Sequence, residues 1–285
     1  MENIKYKISF SEYSSFLQCP HKWYLNYCLG MPSDVNEELI FGQIIHKSIE
    51  SIVGNKHLRK EMFIQGIVKN HLAKEIEKIK DVDFLTRLNK SGLSFLFIKQ
   101  AVEVLKELKF FVRFEEYEVV AIEYKLNDLE LVTIDNVTYV FKGYIDLILK
   151  HKKTGRYLLL DWKSSRKPWD IQKKLKENED LFTQLGLYKH FYSVKENIPF
   201  DMIDVKFFNI PREIPKEMCS HSGVINETYV NYLLDKFKGV CTRIHNHSLF
   251  ALDKARFLTK KNFCNRCSYN KEELCNEYDE FQVVG

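Results

Sequence analysis

Two acidic residues and one lysine stand in stretches of the sequence that are otherwise apolar. Asp146 ends the segment FKGYID, and Asp161 and Lys163 follow three leucines in LLLDWK. Side chains alternate between the faces of a β-strand, so Asp161 and Lys163 share one face and Trp162 takes the other. A buried charge needs a partner or a metal ion. The pattern therefore indicates either an ion pair at the end of a strand or a site for Mg²⁺ or Mn²⁺, where the lysine would orient an attacking water and offset phosphate charge.

Two further pairs of residues have the spacing of one helix face. Gly42 precedes His46 by four residues in GQIIH, and Gln184 precedes Tyr188 by four residues in QLGLY. Residues four apart lie on the same side of an α-helix. Each pair alone is common in ordinary helices, so the information lies in their order relative to the acidic segments. Along the chain this order is GQIIH, GYID, DWK and QLGLY.

The four segments together resemble the motifs GxxxH, GxxD, DxK and QxxxY of the RecB-like nucleases in the PD-(D/E)XK superfamily. That group includes the nuclease domains of RecB and AddB, the CRISPR-associated RecB-like exonucleases and related phage exonucleases. The resemblance spans roughly residues 9 to 275. It implies an α/β fold in which helices flank a mixed central sheet.

The resemblance also implies a role for each motif residue. The metal ligands it implies are His46, Asp146, Asp161 and the backbone carbonyl of Trp162. Lys163 resembles the catalytic lysine, and Gln184 and Tyr188 resemble the residues that contact the DNA backbone beside the site. Glu123, in VVAIEYKL, stands where many relatives have an acid and is a further candidate.

The cysteines form a second constellation. The chain has seven of them, an odd number, and its start lacks the apolar run of a secretory signal, which favours metal binding over disulfides. Cys264 and Cys267 form a CxxC, Cys275 follows, and Cys19 precedes Pro20 near the start of the chain. This arrangement resembles the iron–sulfur branch of the same family, in which one early and three late cysteines hold a structural [4Fe–4S] cluster. The gap before Cys275 is longer than in those relatives, and a zinc site is the alternative. Ordinary roles are expected for Cys28, Cys219 and Cys241.

Composition and pattern place these motifs in a globular chain. The 285 residues are 45% hydrophobic and 29% charged, with a net charge of +4, which excludes disordered, collagen-like and coiled-coil classes. No apolar stretch approaches the roughly 20 residues of a membrane span, so a cytoplasmic protein is expected. The pattern predicts an N-terminal helical region over residues 1–115, a nuclease core of strands and helices over 116–250, and a cysteine-rich segment over 251–285 that packs back on the N-terminus.

Basic residues flank the DWK segment and favour a groove that follows a nucleic-acid backbone. The aromatic residues Phe10, Tyr13 and Trp23 are candidates to stack bases, although their helical spacing is more typical of a core. The basic residues are Lys150, Lys152, Lys153, Arg156, Arg166, Lys167, Lys173, Lys174 and Lys176.

The sequence thus predicts a metal-dependent DNA nuclease, with an exonuclease acting on single-stranded ends as the leading interpretation. DNA repair, recombination, replication or phage DNA metabolism is the expected setting, with a helicase, recombination or CRISPR protein as a possible partner. Two alternatives remain open. One is a non-catalytic DNA-binding or assembly subunit with the same fold, and the other is a zinc-binding regulator.

Overall fold

The computed structural model of the chain describes residues 4–31, 36–55, 61–111, 114–170, 179–222, 225–249, 267 and 269. The chain divides into two compact units, each assembled from separate stretches of sequence. The first unit contains Met1–Asp34, Leu126–Gly143 and Glu227–Gly285. The second unit contains Val35–Lys125 and Tyr144–Asn226. Consecutive blocks were predicted from the sequence, whereas these units interleave along the chain.

Helices and strands alternate along the described part of the chain. The N-terminal elements are β1 (Ile4–Ser9), α1 (Phe10–Gln18), α2 (Pro20–Trp23), a π-helical turn (Tyr24–Cys28), α3 (Glu37–Gly54), α4 (Glu61–Ile76), α5 (Val82–Lys90) and α6 (Leu93–Phe111). The later elements are β2 (Tyr117–Ile134), β3 (Val137–His151), β4 (Tyr157–Ser165), α7 (Glu179–Glu196), β5 (Ile203–Pro211), β6 (Cys219–Ser222) and α8 (Glu227–Leu249).

In the first unit, β1 pairs in parallel with the first part of β3, and α1 begins at a capping residue. The Ser9 hydroxyl accepts a hydrogen bond from the Glu12 amide at 3.2 Å and so caps the first turn of α1. Tyr13 stacks on Phe237 of α8 with ring centroids 4.5 Å apart. Tyr13 and Trp23 are both buried. They are therefore core residues, and the suggestion that these two stack bases is wrong.

In the second unit, the strands form a mixed arrangement. The second part of β3 pairs antiparallel with β4, β4 pairs in parallel with β5, and β5 pairs antiparallel with β6. A parallel pair needs a crossover connection, and α7 lies in the connection between β4 and β5. The expected α/β fold with a mixed sheet is observed.

Helix α3 packs its apolar side into the core of the second unit. Ile44, Ile45 and Ile49 recur at helical spacing and are fully buried. The same core contains Trp162 of β4 and Phe208 of β5, whose rings lie 5.2 Å apart. Burial of each large apolar side chain stabilises the fold by about 1.5–3 kcal/mol. The packing thereby fixes α3, which carries GQIIH, against the strand that carries DWK.

Several elements lie where the sequence predicted them and several do not. The turns that join β2 to β3 and β3 to β4 use left-handed backbone: Asp135 and Asn136 have φ of 44° and 66°, and Gly155 has φ of 70°. The helices α1 to α6 lie in the region over residues 1–115 for which helices were predicted, whereas the short strand β1 in that region was not predicted. Among the described residues, no helix is both long enough and apolar enough to cross a bilayer.

Candidate functional site

Three side chains from three elements of the second unit converge on one point. They are His46 of α3, Glu123 of β2 and Asp146 of β3, and one potential ligand atom of each lies within 4.8 Å of the other two. The His46 Nδ1 atom lies 3.5 Å from Asp146 Oδ1. One imidazole and two carboxylates are a donor set that suits Mn²⁺ and also Mg²⁺. The residues present therefore fit a divalent cation.

Glu123 reaches this group from an unusual backbone conformation. Its φ is 51°, in the left-handed region, although it lies inside strand β2. Such a conformation costs a non-glycine residue about 1–3 kcal/mol and is most often found at functional sites. Burial and the charges of Glu50 and Asp146 raise the pKa of the Glu123 carboxyl. A cation would offset this accumulation of negative charge.

Asp146 is held where the pairing of β3 and β4 ends. Leu147 and Leu160 are the last paired residues at this end. Just beyond them, Asp146 Oδ2 accepts a hydrogen bond from the Trp162 amide at 2.6 Å. The other oxygen of this carboxylate, Oδ1, faces His46. The main chain of the DWK segment thus orients the carboxylate of the GYID segment.

The DWK and QLGLY segments meet through Lys163. Its Nζ lies 2.8 Å from Asp161 Oδ2, an ion-pair contact that lacks hydrogen-bond alignment. It also donates a hydrogen bond to Gln184 Oε1 at 2.8 Å. Gln184 Nε2 in turn donates to the Tyr188 hydroxyl oxygen at 2.8 Å. Asp161, Lys163, Gln184 and Tyr188 therefore form one connected chain of contacts.

Burial and neighbouring charges set the protonation of the site. Burial alone would lower the pKa of His46, but the contact and charge of Asp146, together with Asp161, outweigh it and raise that pKa. Burial raises the pKa of Asp161, and the nearby Lys163 charge opposes the rise. Burial likewise raises the pKa of Tyr188. Tyr188 is thus a neutral phenol whose oxygen accepts from Gln184.

The structure places the motif residues in two neighbouring groups. His46, Glu123 and Asp146 form the first, and Lys163 with Asp161, Gln184 and Tyr188 forms the second. Asp161 does not belong to the three-residue group within 4.8 Å among the described residues, and its role as a ligand stays a prediction. The same holds for the Trp162 carbonyl and for a contact of Gln184 or Tyr188 with DNA.

Asn209, a fully buried amide on β5, was not among the residues predicted from the sequence. Its Nδ2 donates to the Lys163 carbonyl oxygen at 3.3 Å and to Ser165 Oγ at 2.7 Å, and its Oδ1 accepts from the Trp169 amide at 3.0 Å. Asn209 thus joins the strand that carries Lys163 to the loop that follows it. The signal was available, since Asn209 is a single polar residue in the apolar run FFNIP.

The basic residues around the turn between β3 and β4 mostly contact other protein groups. Lys152 Nζ donates to the Glu115 carbonyl oxygen at 2.7 Å, and Arg156 Nη2 pairs with Asp204 Oδ1 at 2.7 Å. Lys150 lies over the Tyr157 ring. These contacts reduce the case for a phosphate groove at that turn. Lys173, Lys174 and Lys176 lie outside the described residues.

The cysteine constellation is described only in part. Cys19 lies at the start of α2, where its Sγ accepts from the Lys22 amide at 3.4 Å. Cys267 is described and partly exposed. Cys264 and Cys275 lie outside the described residues.

Comparison with known proteins identifies the family to which this chain belongs. The profile of the PD-(D/E)XK nuclease superfamily matches residues 7–275. No curated protein matches the chain. Fourteen chains of solved structures match it. One is the crystal structure of a "Putative exonuclease" from Eubacterium rectale, with 12% sequence identity and a TM-score of 0.54, covering 98% of this chain and 89% of that one.

At 12% identity the structural likeness concerns the fold alone. The profile match is different in kind because it extends over nearly the whole chain and includes all four motifs. The expected fold class and the expected nuclease are both confirmed. From the motif order, the mixed sheet that carries it and this match, we conclude that the chain belongs to the PD-(D/E)XK nuclease superfamily.

Proposed function

We propose that this protein is a metal-dependent deoxyribonuclease that removes nucleotides from single-stranded ends, a step used in repair, recombination, replication and phage DNA metabolism. One observation carries the proposal: a group of three side chains that could hold a cation lies in the same unit as a lysine with two polar partners, and the group's Asp146 stands on β3, the strand that pairs with the lysine's strand β4. Both kinds of group accelerate phosphodiester hydrolysis, because each places positive charge against the negative charge that develops on the phosphate. The exonuclease mode takes support from the name of the structural relative.

Three residues of this chain would bind the cation that the proposed reaction uses. His46, Glu123 and Asp146 would hold the divalent cation, and family members generally use Mg²⁺ or Mn²⁺. When bound, the cation supplies positive charge that stabilises negative charge developing on the phosphate. The Trp162 amide keeps the Asp146 carboxylate in place for this task. The imidazole in the donor set favours Mn²⁺ relative to an all-oxygen site.

Lys163 would act on the attacking water and on the phosphate. Asp161 and Gln184 hold its ammonium group from two sides, so little side-chain freedom is left to lose when substrate binds. An ammonium group has three hydrogens, and two partners leave a donor for a water molecule or a phosphate oxygen. Tyr188 steadies the arrangement by accepting from Gln184.

We also propose that Cys19, Cys264, Cys267 and Cys275 hold a [4Fe–4S] cluster with a structural role. Support comes from Tyr269, which is buried and lies two residues beyond Cys267. Its hydroxyl donates to the Met31 carbonyl oxygen at 2.9 Å. This contact holds Tyr269 against Met31, which follows Cys19 in the N-terminal segment, and ligation shared by Cys19 and Cys267 would need such proximity.

The proposed activity is tested with oligonucleotides labelled at either end, in single-stranded and duplex form, in the presence of Mg²⁺ or Mn²⁺. Stepwise shortening of the single strand that a chelator abolishes is the expected result. A circular single strand serves as the control for mode, because an exonuclease leaves it intact. Binding without cleavage under every metal condition would instead support the non-catalytic subunit.

A further inference from the structure

The strand beside the DWK segment places an aromatic residue next to the site. In the parallel pairing of β4 and β5, Phe207 lies opposite Asp161 and Asn209 lies opposite Lys163. Residues paired in this way point to the same face of the sheet. Phe207 and Asn209 therefore share the face that Asp161 and Lys163 occupy, one strand away from them.

Three more aromatic rings surround Phe207 on this face. Trp169, Phe182 and His221 have ring centroids 5.8, 6.3 and 5.8 Å from that of Phe207, and Phe182 lies 5.7 Å from His221. Phe207 is fully buried, whereas the three rings around it are each partly exposed. We call these four residues the aromatic platform. It presents ring surface to solvent beside the catalytic lysine.

The platform is attached to the site through Asn209. Both hydrogen-bonding ends of this amide are used: one holds the Lys163 carbonyl and Ser165, and the other holds the Trp169 amide. Ser165 also donates to the Lys167 carbonyl oxygen at 2.7 Å. These bonds fix the loop after β4, so Trp169 keeps its position relative to Lys163. A fixed ring loses less entropy on binding than a mobile one.

We infer that the aromatic platform is a base-stacking subsite, where Trp169 stacks on one nucleobase of the single strand being cut. The inference rests on the proposed nuclease function. A nucleobase is the occupant that fits, because it carries a flat ring on the same chain as the phosphate that Lys163 would contact. Every base has such a ring, so the subsite selects single strands without selecting sequence. Bases in a duplex are already stacked on each other and do not expose this surface.

The test combines protein variants with substrates that lack single bases. Cleavage rates of the parent, Trp169→Ala and Trp169→Phe are measured on one single-stranded oligonucleotide and on a set in which an abasic spacer replaces one base at a time. For Trp169→Ala we expect kcat/KM on the intact strand to fall by about 5- to 100-fold, and Trp169→Phe should keep most of the activity. One spacer position should lower the parent rate by a similar factor.

Non-additivity separates stacking from a purely structural role. At that one spacer position, Trp169→Ala should cause little further loss, because the base it stacks on is already absent. At the other positions its full effect should persist. His221→Ala, on the edge strand, should give a smaller loss with the same positional dependence. Phe95→Ala is the matched control, because Phe95 is a highly exposed aromatic of α6.

Equal losses at every spacer position, or a Trp169→Ala protein as active as the parent, would overturn the inference. If the parent itself cleaves nothing, the nuclease proposal fails instead. The same substrates and variants are then compared by equilibrium binding, where the same positional pattern is expected. Melting curves of each variant show whether the fold is kept, and Trp169→Phe provides the comparison if Trp169→Ala unfolds.

Discussion

Lys163 is the residue whose contacts most directly suggest a chemical role. We expect Lys163→Ala to lower kcat by about 100- to 1,000-fold, because it removes the positive donor held by Asp161 and Gln184. DNA binding and the melting temperature should change little, since the ammonium group is partly exposed. Single-turnover cleavage and binding are measured on the same oligonucleotide, with Lys195→Ala as the control. Undiminished cleavage would refute the assignment.

Glu123 and Asp161 are two carboxylates for which the structure suggests different tasks. Glu123 belongs to the group with His46 and Asp146, whereas Asp161 contacts Lys163. We expect Glu123→Gln to weaken Mn²⁺ binding at least about tenfold and Asp161→Asn mainly to lower kcat at saturating Mn²⁺. Calorimetric titration with Mn²⁺ measures the first effect. A shift of equal size in Asp161→Asn would mean that Asp161 also binds the cation, as its motif predicts.

The charged residues of the site could be predicted because their type conflicts with the apolar sequence around them. Asp146, Asp161 and Lys163 stand out because charges are rare in apolar strands. Glu123 was a candidate only through the family resemblance, because the left-handed backbone that directs it toward His46 and Asp146 depends on how β2 lies against its neighbours. Asn209 could have been noticed by its type, but its partners come from a strand and a loop far away in sequence.

At the scale of elements, the glycine of GQIIH lets α3 approach β4. A Cβ atom at Gly42 would lie 2.8 Å from Ser164 Oγ, too close unless that hydroxyl moves. We expect Gly42→Ala to lower activity by displacing α3, and His46 with it, and Ser164→Ala to restore part of the loss. The measurement is kcat/KM for both single variants and the double variant.

Gly66→Ala in α4 is the matched control for this test. Nothing lies within 4 Å of a Cβ atom at that position. Alanine is favoured over glycine in helices by about 1 kcal/mol, so this variant should melt at a higher temperature with unchanged activity. If the activity losses of Gly42→Ala and Ser164→Ala simply add in the double variant, the close approach of α3 to Ser164 is not the reason for the glycine.

Local signals predicted some elements and could not predict others. The long helices carry apolar residues at helical spacing, and the turns carry residues that accept positive φ. The strand β6 has only four residues, CSHS, and is a strand because β5 pairs with it. Pairing between distant segments overrides local preference, which is why β1 and β6 were not predicted.

At the scale of the whole molecule, the division into units could not be read from the sequence. The boundaries at Lys125 and Gly143 fall inside β2 and β3, where no proline, glycine cluster or polar linker marks them. Each of these strands contributes one part to each unit. Domain boundaries are predictable from sequence where a linker separates them, and here the chain crosses between units within continuous strands.

The stability of the first unit should depend on pH through Glu12. Its carboxylate is buried and accepts hydrogen bonds from Tyr6 and from Trp23. Burial raises its pKa above the ordinary 4.5, although these hydrogen bonds oppose the rise. The protonated form is therefore favoured by folding, so this contribution is complete below 4.5 and is lost as pH rises through the folded pKa. The pH range over which this stability is lost therefore begins at pH 4.5 and extends upward.

We expect Glu12→Gln to remove this dependence, because the amide oxygen still accepts hydrogen bonds but carries no charge. The melting temperature of the variant minus that of the parent should increase as pH rises from 4.5. Thermal melts at a series of pH values measure this difference. Glu103→Gln, at an exposed position of α6, should show none. A constant difference for Glu12→Gln would contradict the pKa shift.

The proposed cluster would connect the two ends of the chain. A ligand set that includes Cys19 and Cys267 closes a loop of nearly the whole sequence, and such a closure stabilises the fold by an amount on the order of a few kcal/mol by analogy with disulfides. We therefore expect Cys19→Ser and Cys267→Ser to lose iron and to melt at lower temperature to a similar extent. Cys28→Ser, at an exposed position, is the matched control and should change neither quantity.

The measurement is iron, sulfide and zinc per chain on protein purified without air, together with a melting curve for each variant. Zinc in place of iron would favour the zinc site. A full iron content in Cys19→Ser would show that Cys19 is not a ligand and that the cluster does not join the two ends of the chain. Iron retained in Cys275→Ser would exclude the last cysteine, whose spacing departs from that of the relatives. Equal losses from Cys19→Ser, Cys264→Ser, Cys267→Ser and Cys275→Ser are the result that a single shared cluster requires, because the cluster needs all four thiolates.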